Sequence, residues 1–362
     1  MIKLRMRRIL VICNTPFQFV VIAHILSLYY KEYEVDIVIS NQFRNSWKVV
    51  ENAKKSQLFR KVYYLKNVSR KRGNSLLLRL DLFRRIILNF WYAIWIGCTK
   101  YDDILFSNIQ IFTKILITKA RRKNPECKIH IAEEGLGTYS KLYGDSDSPH
   151  TLYRKYIDKQ GVFAKLSTLY LFHPKFLQWD FPTDKICKLP VLEACNPTFM
   201  KMLNILFDYK QCKDTYDRKY IFFEESYYAE GEDVPDVEIV EQIAEKVGKE
   251  NIMVKVHPRN PINRFKQLGY KTNEDSFIPW ELIVLNQDMS DKVFITIASG
   301  AAINPFLYMG LPIASYSLLN SLDRRPGIMR TSVGDIMAKA YATYPEVLIA
   351  PKTLDEFLSK IA

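Results

Sequence analysis

Short apolar runs alternate with longer amphipathic stretches along the whole chain. In the first half, Ile9 to Cys13, Val35 to Ser40, Lys61 to Leu65, Asp103 to Ser107 and Cys127 to Ala132 read as strands. They are rich in β-branched and aromatic residues, as strands covered on both faces are. Asn14-Thr15-Pro16 reads as a turn, and Phe17 to Tyr30 as a helix. The second half repeats the pattern. Strands are predicted at Lys219 to Phe223, Asn251 to Val256, Lys292 to Ala298 and Leu311 to Ala314, and helices at Val237 to Val247 and Ala302 to Met309. Strands alternating with helices imply parallel, doubly wound sheets.

Between Phe172 and Asp217 the alternation loosens. Pro174, Pro182, Pro190 and Pro197 punctuate it, Gln211 to Arg218 is polar, and a connecting helix is expected over Pro197 to Tyr209. This places a boundary between a first domain, residues 1–195, and a second, 196–362. A chain of 362 residues is comfortable for two domains.

Leu76 to Cys98 breaks the rhythm. Its apolar pieces are too short to span a bilayer and are interrupted by Arg79, Asp81, Arg84 and Arg85. It reads as an amphipathic helix with a Trp-rich aromatic face and a basic face. Two readings stand: a buried core helix, or a patch lying on an anionic membrane surface.

Hydrophobic residues at 48% and charged residues at 25% describe a folded domain protein. The formal charge of +13 adds an electrostatic constraint. Basic residues cluster at Arg5, Arg7 and Arg8, at Arg70 to Arg72, at Arg79, Arg84 and Arg85, and at Arg121 to Lys123. That charge suits an anionic substrate or membrane surface. No zinc-finger spacing or RNP-like strand accompanies it, so nucleic acid is not the expected partner. The six Cys form no CxxC pair and lie in apolar runs, which predicts reduced, buried thiols in a cytoplasmic protein. Met1 to Ile22 has basic and apolar residues but is interrupted at Asn14-Thr15-Pro16, with no cleavage site after it, so no signal peptide is expected.

Candidate chemistry follows the strands, because ligands of doubly wound sheets bind beyond the carboxyl ends. Val254-Lys255-Val256-His257-Pro258-Arg259 delivers a histidine flanked by cations. A protonated or hydrogen-donating imidazole beside Lys255 could hold a phosphate oxygen or assist a phosphate leaving group; a structural histidine is the alternative. His173-Pro174 repeats the dipeptide, but no clean strand is read before it. Thr296 to Ala302 runs from a strand through Ser299-Gly300 into a helix, a phosphate-binding arrangement or a simple N-cap. Glu281, after Pro279-Trp280, could accept from a ribose diol. Glu133-Glu134-Gly135 closes a strand, and either carboxylate could deprotonate an acceptor hydroxyl. Phe223-Glu224-Glu225-Ser226 closes another and offers a competing base. Asp145-Ser146-Asp147 reads as a surface turn.

Taken together, Glu133-Glu134-Gly135, His257-Pro258 and Ser299 resemble the acidic, His-Pro and serine motifs of bacterial sialyltransferases, nearest to glycosyltransferase family 52. The opening Cys13-Asn14-Thr15-Pro16-Phe17-Gln18 is similar to that family's first strand and turn. The resemblance implies a GT-B fold of two Rossmann-like domains facing a central cleft, the N-terminal one on the acceptor side and the C-terminal one holding the donor. It implies sialyl transfer from CMP-sialic acid, inverting and without metal or other cofactor. The acceptor would be a galactose-terminated or similar sugar of capsule or lipooligosaccharide. Glu134 or Glu133 would be the base and His257 the phosphate-side group. Lys255, Pro258, Ser299, Gly300 and Ser226 would line the donor, and Glu281 its ribose. Glu225 is the alternative base, since some relatives place it in the C-terminal domain. Here one serine stands where relatives often have two. A UDP-sugar transferase or a non-catalytic basic protein are the competing readings. A homodimer rests on family analogy alone, whereas the membrane reading of segment 76–98 would place a cytoplasmic protein at the inner face of the cell membrane.

Overall fold

The computed structural model describes residues 5–66, 76–147, 159–212, 214–274 and 277–361. The basic cluster Arg70 to Arg72 lies outside them. Two all-parallel sheets carry the chain. The first contains β1 (Arg8–Cys13), β2 (Glu34–Ser40), β3 (Lys61–Leu65), β4 (Asp103–Phe106), β5 (Lys128–Ala132), β6 (Leu166–Leu171) and β7 (Ile186–Lys188), in the order β3-β2-β1-β4-β5-β6-β7. The second contains β8 (Tyr220–Phe223), β9 (Ile252–Lys255), β10 (Lys271–Thr272), β11 (Val293–Thr296), β12 (Ser315–Ser317) and β13 (Leu348–Ile349), in the order β10-β9-β8-β11-β12-β13.

Central strands are buried on both faces because helices cover both. From Ile9 to Cys13 every residue of β1 is sealed from solvent. In the first domain these helices are α1 (Pro16–Tyr29), α2 (Ser46–Lys55), α3 (Leu76–Gly97) and α4 (Ile111–Lys123). The Asn14-Thr15-Pro16 turn sets the start of α1: Thr15 Oγ1 accepts from Gln18 N–H, and Pro16 occupies the first turn, where its missing donor costs nothing. In the second domain the helices are α6 (Asp236–Val247), α7 (Trp280–Asn286), α8 (Gly300–Met309), α9 (Ser332–Thr343) and α10 (Leu354–Lys360).

The linking helix α5 (Pro197–Leu206) packs on the first domain. Asn196 Nδ2 donates to Ser27 Oγ at 3.1 Å, Asn52 Nδ2 to Leu206 O at 3.1 Å, and Phe199 meets His24 edge-on. It follows the predicted boundary at 195 yet joins the N-terminal helices, because its apolar face finds α1 and α2.

Three expectations need correction. Leu166–Leu171 is a strand, so His173 does follow one, by two residues. The strand expected at Leu311 to Ala314 forms instead at Ser315–Ser317, beside β11. Of the thiols, Cys13 and Cys127 are buried, whereas Cys98 and Cys195 are exposed; all six are free.

Candidate active site

Each sheet has one place where strand order reverses: between β1 and β4 in the first domain, and between β8 and β11 in the second. Loops leave in opposite directions there and open a crevice beyond the carboxyl ends. Most of the predicted site residues lie at these two reversals or on the strand next to them.

In the first domain, Gln18 bridges the reversal. Its Oε1 accepts from Asn14 N–H at 2.8 Å, just past β1, and its Nε2 reaches Asn108 Oδ1, just past β4. The same Nε2 lies 3.0 Å from Glu134 Oε2, past β5. Glu134 is half-buried, and its N–H donates to Thr138 Oγ1 at 2.9 Å. Burial pushes its carboxyl up to about 7, against the hydrogen bonds from Gln18 and Asn108. Such a group is a usable proton acceptor near neutral pH. Gly135, at φ 110°, turns the chain away with only Phe17 near where a side chain would go. The Asn14 side-chain amide and the Ser107 hydroxyl are buried at the same reversal without a partner among the described residues.

Glu133 is built differently. It is fully buried, accepts from the Tyr139 hydroxyl, and accepts from Phe172 N–H at 2.9 Å. Burial raises its carboxyl to about 7, and the Tyr308 hydroxyl of α8 lies beside it. It is a brace between the two domains. Phe17 and Phe172 pack on Tyr308 with centroids 5.2 and 4.9 Å apart. His173, the rival histidine, joins the same contact through Nε2 to Leu307 O at 2.6 Å.

In the second domain, both acids past β8 are engaged. Glu224 Oε2 accepts from His257 N–H at 3.0 Å, and its Oε1 takes Arg264 Nη2 at 2.9 Å; Arg264 also grips Asp236 with both terminal nitrogens. Glu225 Oε1 accepts from Thr296 Oγ1 at 2.5 Å and from Ala298 N–H at 2.6 Å. Burial raises it to about 7. The alternative base is therefore a buried tie across the reversal, holding the serine turn in place.

That turn starts α8. Ser299 caps it, accepting from Ala301 N–H at 3.4 Å, and Gly300 has nothing closer than Asn304 where a Cβ would stand. The first N–H groups of a ten-residue helix thus lie beside a small, open residue. Past β9, on the other side of β8, His257 Nδ1 accepts from Arg259 N–H at 3.2 Å, which leaves the proton on Nε2. Burial and the cations of Arg259 and Lys255 lower its pKa to about 4. Of the two expected forms, protonated or hydrogen-donating, this favours the second: a neutral imidazole with its N–H on Nε2. Lys255 is lowered by burial and held up by Glu281, with its ammonium 6.0 Å from the Trp280 ring centroid. Glu281 is buried and accepts from Asn304 Nδ2 at 2.6 Å. Pro258 is exposed at the turn. The Ser226 hydroxyl donates to Glu230 at 2.7 Å, in a loop joined to the His257 loop through Asn260.

One crevice thus offers a proton acceptor, and the other offers N–H donors and a lysine, as transfer from a phosphate leaving group needs. The family model for alpha-2,8-polysialyltransferases matches residues 9–305, from β1 into α8. The chain belongs to the alpha-2,8-polysialyltransferase family. Its membership makes it a glycosyltransferase and meets the expectation of a bacterial sialyltransferase family. No curated protein sequence matches it. Among solved structures, this polysialyltransferase-family chain is similar to the UDP-GlcNAc 2-epimerase of Methanocaldococcus jannaschii, solved with UDP-GlcNAc and UDP. Identity is 12%, covering 98% of this chain and 91% of that one, with a TM-score of 0.56. The Neisseria meningitidis UDP-GlcNAc 2-epimerase, bound to UDP-GlcNAc, is also similar: 12% identity, 98% and 90% coverage, TM-score 0.52. These likenesses establish the fold: GT-B, two Rossmann-like domains.

Sequence reasoning missed Gln18, Asn108, Arg264 and Asn304. Gln18 stood in the quoted opening motif without a role. The others contact their partners across distant strands, a proximity that linear spacing does not carry.

Proposed function

We propose that the chain transfers sialic acid from CMP-sialic acid to the 8-hydroxyl of a sialic-acid-terminated acceptor, with inversion and without a metal. The acceptor follows from the family's name. The donor and the absence of a cofactor follow from the sialyltransferase motifs. The observation that carries the reading is that, of the four acids closing β5 and β8, Glu134 alone is part-exposed, the other three being buried.

Glu134 takes the proton from the acceptor hydroxyl as its oxygen bonds to the anomeric carbon. The bond from that carbon to the phosphate oxygen breaks, and CMP leaves with the electron pair. His257 Nε2–H, Lys255 and the first N–H groups of α8 meet the charge growing on that phosphate. The ribose falls to the Glu281 oxygen that Asn304 leaves. Ser299, Gly300 and Pro258 shape the phosphate pocket, and Ser226 borders the nucleotide.

The test offers the purified protein CMP-sialic acid or UDP-GlcNAc with an oligosialic acid acceptor. Chain extension with the CMP donor alone supports the proposal, with kcat/KM rising to a plateau above about pH 7 as Glu134 ionises. Transfer from UDP-GlcNAc instead would sink it.

A further inference from the structure

Helix α3 is built inside out. A surface helix ordinarily turns its polar face to water. Here Ile87, Leu88, Trp91 and Trp95 share one exposed stripe at helical spacing, while Ala93 and Ile96 face the core. Trp91 is 64% exposed and Trp95 59%. Tyr92 stacks on Trp95 at 5.7 Å and Phe90 meets Trp91 edge-on at 5.9 Å, so the aromatic rings stand as two pairs along the helix. Ile111, at the start of α4, is exposed as well.

Basic residues flank this stripe at both ends. The two helices run side by side, with Gly97 pressed on Lys119 and Leu116. That sets the basic last turn of α4, Arg121 to Lys123, near the Trp95 end, while Arg84 is exposed at the other. From Arg84 to Gly97, and through all of α4, there is no Asp or Glu. Basic residues do complement a helix C-terminus, which explains α4 alone and not the bare tryptophans next to it.

We infer that the α3 stripe and the basic end of α4 form a docking surface for an anionic lipid bilayer. Trp and Leu enter the headgroup boundary, and Arg84 and Arg121 to Lys123 meet lipid phosphates. A second copy of the chain suits this face poorly, since a two-fold contact would set these cations against their own images. Among the described residues no helix is long and apolar enough to cross a membrane, so contact here is peripheral. The inference is independent of the proposed reaction.

The test is flotation of the full chain with phosphatidylethanolamine–phosphatidylglycerol vesicles, compared with phosphatidylcholine vesicles. Wild type is expected to partition to the anionic vesicles at least about tenfold more strongly. Trp91→Ser/Trp95→Ser should lose most of that binding, while Arg121→Glu/Arg122→Glu/Lys123→Glu should lose the preference for anionic lipid. The substituted side chains are exposed apart from the part-buried Arg121, and unchanged circular dichroism checks the fold. Undiminished vesicle binding by the Trp variant overturns the inference. So does a Trp variant that turns a dimer into a monomer without affecting vesicle binding, because the face would then join two copies.

Discussion

The two strand-order reversals look alike in sequence and are wired in opposite ways. Each is served by a Glu-Glu pair closing a strand, β5 in one domain and β8 in the other. In the C-terminal domain both acids are consumed by structure: Glu224 holds the His257 loop and Arg264, and Glu225 holds Ala298 and Thr296. In the N-terminal domain only Glu133 is consumed, and Glu134 rests on the amide of Gln18. The histidines divide the same way. His173 Nε2 is bonded to the other domain's backbone, while His257 uses only Nδ1 among the described hydrogen bonds. A residue type at a strand end does not make a site; unspent hydrogen-bonding capacity does.

The sharpest break of this comparison is Glu134→Gln against Glu225→Gln. Removing the proposed base should cost about 10²–10⁴-fold in kcat, with the melting temperature unchanged or raised. Glu225→Gln keeps an oxygen for Thr296 and Ala298 and should stay within about tenfold of wild type. If the two rates are reversed, the base lies in the C-terminal domain. Next in size is the histidine pair. His257→Ala should lower kcat by about 10²–10³-fold, as losing one charge-stabilising donor does. His173→Ala should instead cost about 1–3 kcal/mol of stability by leaving the Leu307 carbonyl unpaired, read by denaturant unfolding.

The buried acids also set a pH dependence. Glu133 and Glu225 are each raised to about 7 from an ordinary 4.5. Between those values the folded chain holds protons that the unfolded chain has released. Stability therefore falls as pH rises from about 4.5 to about 7, by roughly 1 kcal/mol per pH unit per group, and is flat above. Glu133→Gln and Glu225→Gln should each flatten the slope measured by urea unfolding from pH 5 to 7.

Much of this was legible beforehand. β1 to β5, β8, β9 and β11 are dense apolar runs that end at small or polar residues, so the parallel sheets and the motif positions could be read directly, whereas the two-residue β10, Lys271–Thr272, left no such trace. β6 was not, because Leu166–Leu171 mixes Ser and Thr into its apolar residues and sits beside a Pro-rich stretch. The site's donors and acids were legible as types. Their division of labour was not: whether Glu133 or Glu134 is free depends on Tyr139 and Phe172, and whether Glu225 is free depends on Thr296, more than 70 residues away. Burial of a particular oxygen is a property of the packed fold.

Ser299 gives the smallest and most discriminating effect. It is the N-cap of α8 and also the proposed phosphate contact, and the two roles respond differently to substitution. Ser299→Ala removes the cap and should cost about 1 kcal/mol in unfolding, whereas Ser299→Gly at a cap costs only a few tenths. If the hydroxyl only caps, glycine restores both stability and donor KM. If it also meets the phosphate, both variants raise donor KM alike while only alanine lowers stability. The proposed function expects the second pattern, with KM rising by roughly tenfold or more for a hydrogen bond to a charged phosphate. Normal donor KM in Ser299→Gly would assign the phosphate to the helix N–H groups alone and leave Ser299 as scaffold, as Glu225 is.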